Sequence, residues 1–291
     1  MASTIDRSAP ELALARPPST RASWLRPARL LFAFARQGVK LQTAYLWSYW
    51  MGIANLVVKL AALYLLWRAL FRQDPHAFPV SGRSMVTYAV TGVLMGQVLT
   101  WWDGPHFYLW ERVREGTIAT ELVRPVYFPF HVFARTLGQS LATAATIVVP
   151  VAVVAFPLLG LALPPGAAAT GWFIASVALS YLILFGLNFL VGTLTFVTLT
   201  LRGLQHAYHG VITLFSGLWI PLWFYPHWLR PVAEALPFQG IFFTPLSIYV
   251  GNLGSGAATA VGRQAVWASI LLAGAAGAWT VTQRRLVVQG G

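Results

Sequence analysis

The stretch GWFIASVALSYLILFGLNFLVGTLTFVTLT, residues 171–200, contains no charged side chain. About 20 apolar residues are enough to cross the roughly 30 Å hydrocarbon core of a bilayer as a helix. Inside lipid every backbone hydrogen bond must be made within the protein, and helices achieve this within a single segment. The stretch therefore predicts a membrane-spanning helix in an all-α membrane protein.

The composition of the whole chain agrees with this prediction. Of its 291 residues, 57% are hydrophobic and 10% are charged, whereas soluble domains carry about 25% charged residues. We therefore expect one membrane domain rather than two soluble domains. The chain has no cysteine, which excludes disulfides, thiolate metal sites and cysteine nucleophiles.

Six segments are apolar and long enough to cross the membrane, at about 44–70, 84–102, 127–157, 171–200, 208–225 and 258–282. With the N-terminus in the cytosol, fourteen basic residues fall on the cytosolic side and five on the other side. This asymmetry follows the positive-inside rule. It predicts six transmembrane helices with both termini in the cytosol. Because the net charge of +12 is distributed as a topology signal, we expect no nucleic-acid partner.

The N-terminal region has a different composition. Residues 1–25 are rich in proline, serine and arginine, which predicts a disordered cytosolic tail before a single membrane domain over 26–291. The following stretch WLRPARLLFAFARQGVKLQTAYLW, residues 24–47, mixes basic and apolar side chains. It predicts an amphipathic helix in the cytosolic interface of the membrane, and a simple extension of the first span is the alternative.

A proline-rich segment, residues 219–256, separates the fifth and sixth predicted spans. Its sequence WIPLWFYPHWLRPVAEALPFQGIFFTPLSIYVGNLGSG has five prolines, too many for one straight helix, and is too apolar for a solvated loop. These features predict a pair of short re-entrant helices that dip into the outer leaflet. A loop packed on the outer surface is the alternative.

The sequence offers no catalytic chemistry of its own. It has no G-x-x-x-x-G-K-[ST] phosphate loop, because Lys40 and Lys59 are each followed by leucine. His206 and His209 have no carboxylate within 20 residues, so we interpret them as polar residues at a short cytosolic turn rather than zinc ligands. No acidic residue falls within the six spans, which argues against an ion-coupled carrier. We therefore expect no catalytic residue, metal or cofactor in this chain.

One basic residue does lie within a predicted span. Ser48, Gly52, Asn55, Lys59 and Ala62 follow a 4-3-4-3 spacing and share one stripe of the first helix. A charge at the bilayer centre costs about 2.5–3.5 kcal/mol on insertion scales, so we expect this stripe to face protein or a water-lined path. The alternative is that Lys59 extends to the interface. Asn55 and Lys59 are thus candidate substrate-pathway residues, and weaker candidates are Gln97, Gln139 and Asn188.

The most highly charged stretch is ERVREGTIATELVRP, residues 111–125, between the second and third predicted spans. It holds three of the eight acidic residues and three arginines, with i, i+3 pairs that stabilise helices. Gly116 interrupts it, and Thr117 is suited to cap a second helix. The stretch therefore predicts one or two short helices at the cytosolic face. Apolar residues among the charges favour a protein-docking surface over a solvated connector, and the three predicted ion pairs are Glu111–Arg114, Arg112–Glu115 and Glu121–Arg124.

Three blocks of this sequence resemble one known family. REGTIATELVRPVYFPFHVFARTLG, residues 114–138, is similar to the cytosolic segment of bacterial type-2 ABC exporter permeases of the half-size, six-span subfamily. SGLWIPLWFYPHWLRPVAEALPFQGIFFTP, residues 216–245, and the terminal RRLVVQGG resemble later blocks of the same subfamily. The likeness runs from about residue 30 to the end.

The resemblance implies a multi-pass permease of the bacterial cytoplasmic membrane, assembled with a second permease (the same chain or a paralogue) and two ATPase subunits that bind ATP and magnesium. The exported substrate would be hydrophobic or amphipathic: a drug, an antibiotic or a lipid-like molecule. The proline-rich segment would be a re-entrant gate. Alternatives are a membrane anchor that recruits a cytosolic protein, or an ion-coupled carrier. By the same resemblance the residues that couple the permease to the ATPase would be Glu111, Arg114, Glu115, Gly116, Thr117, Glu121 and Arg124.

Overall fold

The structure is a computed structural model, and it describes residues 33, 34, 36, 46–73, 80–100, 104–122, 126–198 and 202–289. These residues form helices joined by turns, with no strand among them, so the predicted all-α fold is confirmed. The predicted tail 1–25 and most of the interfacial helix lie outside the described residues. Residues 33, 34 and 36 are helical, as the interfacial helix requires.

Eleven helices follow one another in the described part of the chain: α1 (Leu46–Gln73), α2 (Gly82–Leu99), α3 (Pro105–Arg114), α4 (Ile118–Leu122), α5 (Phe128–Thr143), α6 (Val149–Leu159), α7 (Ala167–Thr198), α8 (Arg202–Phe215), α9 (Leu229–Ala235), α10 (Phe243–Tyr249) and α11 (Ala257–Gln289). A π-helical turn, Ala144–Val148, joins α5 to α6, so the two form one long helical segment.

Within the described ranges, four helical segments are long and apolar enough to cross a membrane: Tyr49–Arg72, Phe128–Leu159, Ala167–Phe196 and Gly254–Arg284. They correspond to the first, third, fourth and sixth predicted spans. The second predicted span is α2, which has 18 residues and is buried from Met85 to Gly96. The fifth overlaps α8, whose 14 residues reach about 21 Å at 1.5 Å per residue. The count of six spans stays a prediction.

The boundaries of the fifth predicted span, 208–225, are wrong. The helix begins at Arg202 and ends at Phe215, and Pro221 lies outside it rather than in its last turn. The chain turns at Gly217, which has a φ of +76°, a conformation that favours glycine. The sequence stays apolar beyond the turn because Leu218 and Leu222 are buried in the protein. His206 and His209 therefore lie within a helix and not at a turn.

α2 lies at the centre of the packed helices. The side chains of Tyr88 and Val90 are fully buried, and the Tyr88 hydroxyl donates a 2.7 Å hydrogen bond to the carbonyl of Gly217. α7 packs along α11, and a Cβ at Gly186 would lie 2.8 Å from the Leu271 Cβ. Glycine at this position therefore allows the two long helices to approach closely.

Buried hydrogen bonds hold the proline-rich segment against the long helices. Gln264 of α11 donates through Nε2 to the carbonyl of Gly240 at 2.7 Å, and it accepts a 2.7 Å hydrogen bond from the Ser176 hydroxyl of α7. The Ser180 hydroxyl donates to the same Gly240 carbonyl at 2.8 Å. The predicted short helices of this segment are present as α9 and α10. Their re-entrant position in the membrane stays a prediction.

Candidate functional site

The charged stretch folds into two short helices, one of the two outcomes that its sequence predicts. α3 begins with Pro105 at its first turn, where the missing N–H costs nothing. It ends at Arg114, and Gly116 follows with a φ of +69°, the left-handed conformation that glycine adopts without strain. The Thr120 amide then donates to the Thr117 carbonyl at 3.2 Å, which opens the single turn of α4.

α3 packs directly on α7. His106 and Leu109 of α3 are fully buried, and they lie against Gly192 of α7. A Cβ built on Gly192 would lie 3.0 Å from the His106 Cα and 3.1 Å from the Leu109 Cδ2, closer than ordinary carbon contacts. At the N-terminal end of α3, Gly104 lies against the Asn188 side chain. Two glycines therefore allow the contact between α3 and the long apolar helix.

A buried polar cluster lies where α3, α7 and α8 meet. The Tyr208 hydroxyl of α8 donates a 2.8 Å hydrogen bond to Asn188 Oδ1 of α7. The His106 ring of α3 lies edge-on to the rings of Tyr208 and His209, with centroids 5.9 and 5.4 Å away. Burial, reinforced by His209, lowers the pKa of His106 from 6.5 to about 4. His106 is therefore neutral at pH 7, as its position requires.

A second contact joins α3 to α5. The Tyr108 ring of α3 lies between two guanidinium groups, with Arg112 at 5.3 Å and Arg135 of α5 at 4.8 Å from its centroid. Cation–π contacts of this length stabilise by about 0.5–1 kcal/mol at exposed sites and by more when desolvated. α3 thus contacts three helices. It contacts α7 at Gly192 and Asn188, α8 at Tyr208 and His209 of the buried polar cluster, and α5 at Arg135.

The exposed surface of the α3–α4 segment is charged. The Arg112–Glu115 pair predicted from the sequence is present at 3.3 Å, and the Glu115 side chain is 42% exposed. Arg112 also donates to the Thr117 hydroxyl at 3.4 Å. Arg114 and Gly116 are exposed beside this pair. These residues form one continuous patch that is available to a partner.

The other two predicted ion pairs have different outcomes. Glu111 and Arg114 are both described and form no ion pair, because the Arg114 guanidinium lies 4.5 Å from the centroid of the Trp110 ring instead. The Glu121–Arg124 pair includes a residue outside the described ranges.

Glu121 faces the protein interior. Its side chain is 10% exposed, and its Oε2 lies 3.8 Å from Nδ1 of His131 on α5. The His131 ring lies edge-on to Phe34, with centroids 5.3 Å apart. Of the predicted coupling residues, Glu121 therefore contacts the beginning of α5, through His131, rather than forming part of the exposed patch.

The predicted pathway residues lie in separate places. Asn55 and Lys59 are exposed on α1, Gln97 is half-buried on α2 and Gln139 is exposed on α5. Asn188 is buried and belongs to the polar cluster with Tyr208. The polar stripe of α1 therefore faces away from the rest of this chain, towards lipid or a second subunit.

Sequence reasoning missed the cluster around His106. The available signal was Asn188, a buried amide inside an otherwise apolar span, which needs a hydrogen-bond partner. In the described part of the chain, no three histidine, aspartate or glutamate residues lie close enough together to hold a metal ion.

Comparison with known families agrees with this geometry. Residues 57–290 match the family described as ABC-2 family transporter protein. The match covers most of the chain, so the chain belongs to this family and is a multi-pass permease component. Members of the family pair with an ABC ATPase subunit. No curated protein and no solved structure matches the chain.

Proposed function

We propose that this chain is the transmembrane permease subunit of an ABC exporter in the bacterial cytoplasmic membrane. Six spans with cytosolic termini would move a hydrophobic or amphipathic substrate outward. A separate pair of ATPase subunits would supply the energy, since the sequence has no phosphate loop. The observation that carries the proposal is the α3–α4 segment, which combines an exposed charged patch with tight packing onto the long helices.

The exposed patch is the proposed contact with the ATPase. Arg114 and Glu115 present opposite charges side by side, a pattern that gives specificity and fixes the register of a docking partner. Glu121 would act differently, by holding α4 against His131 of α5. The ATPase thus contacts the exposed patch, and Glu121 keeps α4 in position beside that patch.

Motion of α3 is proposed to move α7 and α8 with it. Tightly packed helices shift as rigid units, because interiors as dense as crystals do not deform continuously. The close approach at Gly192 leaves no gap between α3 and α7. The Tyr208–Asn188 hydrogen bond extends the same unit to α8.

The exposed stripe on α1 is the proposed contact with a second permease, which is the same chain or a paralogue. Gly52, Asn55, Lys59 and Ala62 are all exposed on this stripe. Small and polar residues on one face are typical of helix–helix interfaces in membranes. A substrate pathway between two chains would place Asn55 and Lys59 in its wall.

The proposal is tested by exchanging charges in the patch. The double variant Arg114→Glu with Glu115→Arg keeps the net charge and reverses the pattern that a partner reads. We expect it to lose co-purification with its ATPase partner and to lose ATP-driven transport. The wild-type chain purified alone should hydrolyse no ATP.

The chain offers a matched control. Arg230 and Glu234 of the proline-rich segment form an i, i+4 ion pair at 2.7 Å, and Arg230→Glu with Glu234→Arg is the same exchange away from the patch. This control should keep the ATPase. Equal retention by both double variants, or transport driven by an ion gradient without ATP, would refute the proposed coupling.

A further inference from the structure

A basic pocket lies where the C-terminal end of α1, the beginning of α2 and the end of α6 meet. Its volume is about 310 Å³. The lining contains three arginines, Arg68, Arg72 and Arg83, and no acidic residue. Aromatic side chains of α1 form the rest of one wall, namely Tyr64, Trp67 and Phe71.

Two of the arginines are held in position by this chain. Arg68 donates through one terminal nitrogen to the Tyr64 hydroxyl at 2.8 Å, and its guanidinium lies 5.6 Å from the centroid of the Tyr64 ring. Arg83 donates through Nε to the Gly160 carbonyl at 3.0 Å. A guanidinium has five N–H donors, so each keeps further donors for a ligand. Such forks match the geometry of phosphate oxygens.

An apolar groove continues from the pocket along α1. It has a volume of about 410 Å³ and lies between α1 and α6. Leu159 lines both the pocket and the groove, so the two form one trough. The groove is lined by Tyr49, Trp50, Ile53, Val57, Leu60, Ala61, Pro150, Val151, Val154, Ala155, Leu158 and Leu159.

The dimensions of the trough fit one leaflet of a bilayer. From Arg68 to Val57 along α1 is eleven residues, or about 16 Å at 1.5 Å per residue. Half of the hydrocarbon core measures about 15 Å. A phosphate held by the arginines would therefore place an acyl chain beside Leu60 and Val57.

From this geometry we propose that the trough binds an anionic phospholipid, with its phosphate on Arg68, Arg72 and Arg83 and an acyl chain in the groove. Three cations without an acid among them favour a headgroup with a net negative charge over a zwitterionic one. The exposed apolar side chains of the groove, such as Val57, Val154 and Leu158, suit a hydrocarbon chain.

This site is separate from the contact proposed for the ATPase. The helical segment from Phe128 to Leu159 has 32 residues, about 48 Å if straight. It begins near α3, through the Arg135–Tyr108 contact, and it ends at the pocket. The lipid site therefore lies at the opposite end of the molecule, and its test does not depend on a partner.

The experiment uses photocrosslinking of the full chain in phosphatidylcholine vesicles. A trace phospholipid carries a diazirine in its acyl chain and either a phosphatidylglycerol or a phosphatidylcholine headgroup. We expect the phosphatidylglycerol probe to label peptides of α1 and α6 around Val57 and Val154 more strongly than the phosphatidylcholine probe. Mass spectrometry of the cross-linked peptides measures this preference.

The variant Arg72→Gln tests the charge, because Arg72 is exposed and makes neither of the contacts that position Arg68 and Arg83. It should reduce the phosphatidylglycerol preference about fivefold, the equivalent of about 1 kcal/mol per basic residue near an anionic surface. Arg68→Gln combined with Arg72→Gln should reduce it further. The control Arg230→Gln removes an arginine outside the trough and should leave the preference unchanged.

Three outcomes would overturn the inference. The two headgroups could label these peptides equally, Arg72→Gln and Arg230→Gln could have the same effect, or the label could appear elsewhere in the chain. Inorganic phosphate is added as a competitor in a further arm. If millimolar phosphate abolishes the preference for phosphatidylglycerol, the arginines bind a free anion in place of a lipid headgroup, and the proposal fails.

Discussion

Replacing Gly192 by alanine is expected to separate α3 from α7. The new Cβ would lie 3.0 Å from the His106 Cα and 3.1 Å from the Leu109 Cδ2. The nearer atom belongs to the backbone, so one helix must shift by a few tenths of an ångström. Overpacking of this kind costs about 1–3 kcal/mol. Alanine is more favourable than glycine in a helix interior by about 1 kcal/mol, which offsets part of this cost.

Gly171 provides the matched control. It lies in the same helix, and a Cβ built on it meets nothing within 4 Å, so Gly171→Ala gains the helix propensity without the clash. The stability of Gly192→Ala should therefore fall about 1–3 kcal/mol below that of Gly171→Ala. For a protein of this size the difference corresponds to roughly 2–12 °C in melting temperature.

The measurement is thermal unfolding in detergent, followed by the fluorescence of the 13 tryptophans. In the complex with the ATPase, Gly192→Ala should keep the partner, because the exposed patch around Glu115 is unchanged, and should lose transport per ATP hydrolysed. A melting temperature equal to or above that of Gly171→Ala would refute the close packing. Unchanged transport per ATP would refute the role of this contact in transmission.

Three further predictions concern buried hydrogen bonds and one buried histidine. Gln264→Leu should destabilise the chain by about 1–3 kcal/mol, because it leaves buried polar groups without partners, and limited proteolysis should then cut the proline-rich segment faster. Tyr49→Phe removes the 2.8 Å hydrogen bond that the Tyr49 hydroxyl donates to the Thr146 carbonyl, at a cost of about 0.5–1.5 kcal/mol. Pro150 has no N–H to donate to the Thr146 carbonyl, whereas alanine at position 150 would supply one. Thermal unfolding should therefore show that Tyr49→Phe destabilises the Pro150→Ala variant less than it destabilises the wild-type chain. Burial lowers the pKa of His106 from its ordinary 6.5 to about 4 in the fold, so the unfolded chain binds this proton first as the pH falls. The stability should therefore decrease as the pH falls from 6.5 to 4, by roughly 1 kcal/mol per pH unit, and the pH dependence of melting should be shallower in His106→Gln.

The four long apolar segments could be predicted from the sequence because span length and hydropathy depend only on local composition. The end of α8 could not. Hydropathy reports removal from water and does not distinguish lipid from the interior of a protein. Leu218 and Leu222 are buried by α2 and the proline-rich segment after the helix has ended at Phe215, so the apolar pattern continued past the helix.

The charged segment was predicted as helical for the right physical reason, since the Arg112–Glu115 pair is present. The spacing of the charged residues could not predict whether each side chain points outward or inward. An i, i+3 pattern fits an exposed pair, such as Arg112 with Glu115, and equally a side chain that turns inward. Glu121 turns inward because its neighbour His131 follows on the next helix, on the far side of Pro125. The partners of His106 lie still further along the chain, on α7 and α8, and no local pattern relates them.

The position of α8 explains how the α3–α4 segment and the proline-rich segment are connected. The middle of α8 carries Tyr208 and His209, which contact α7 and α3. Directly after its C-terminal end, the Ser216 carbonyl accepts a 2.8 Å hydrogen bond from the Phe243 amide of α10 in the proline-rich segment.

α8 is short, about 21 Å at 1.5 Å per residue, and has 14 residues. Under the proposed function, a displacement that the ATPase imposes on α3 therefore reaches the proline-rich segment through one helix. That helix is hydrogen-bonded to α7 at its middle and to α10 just beyond its C-terminal end. The turn at Gly217, which joins α8 to the proline-rich segment, is attached to the central helix α2 because the Gly217 carbonyl accepts a hydrogen bond from the Tyr88 hydroxyl. Movement of the turn at Gly217 must therefore either break this buried hydrogen bond or move α2 as well. Moving α2 is the less costly alternative, because it leaves no buried polar group unpaired.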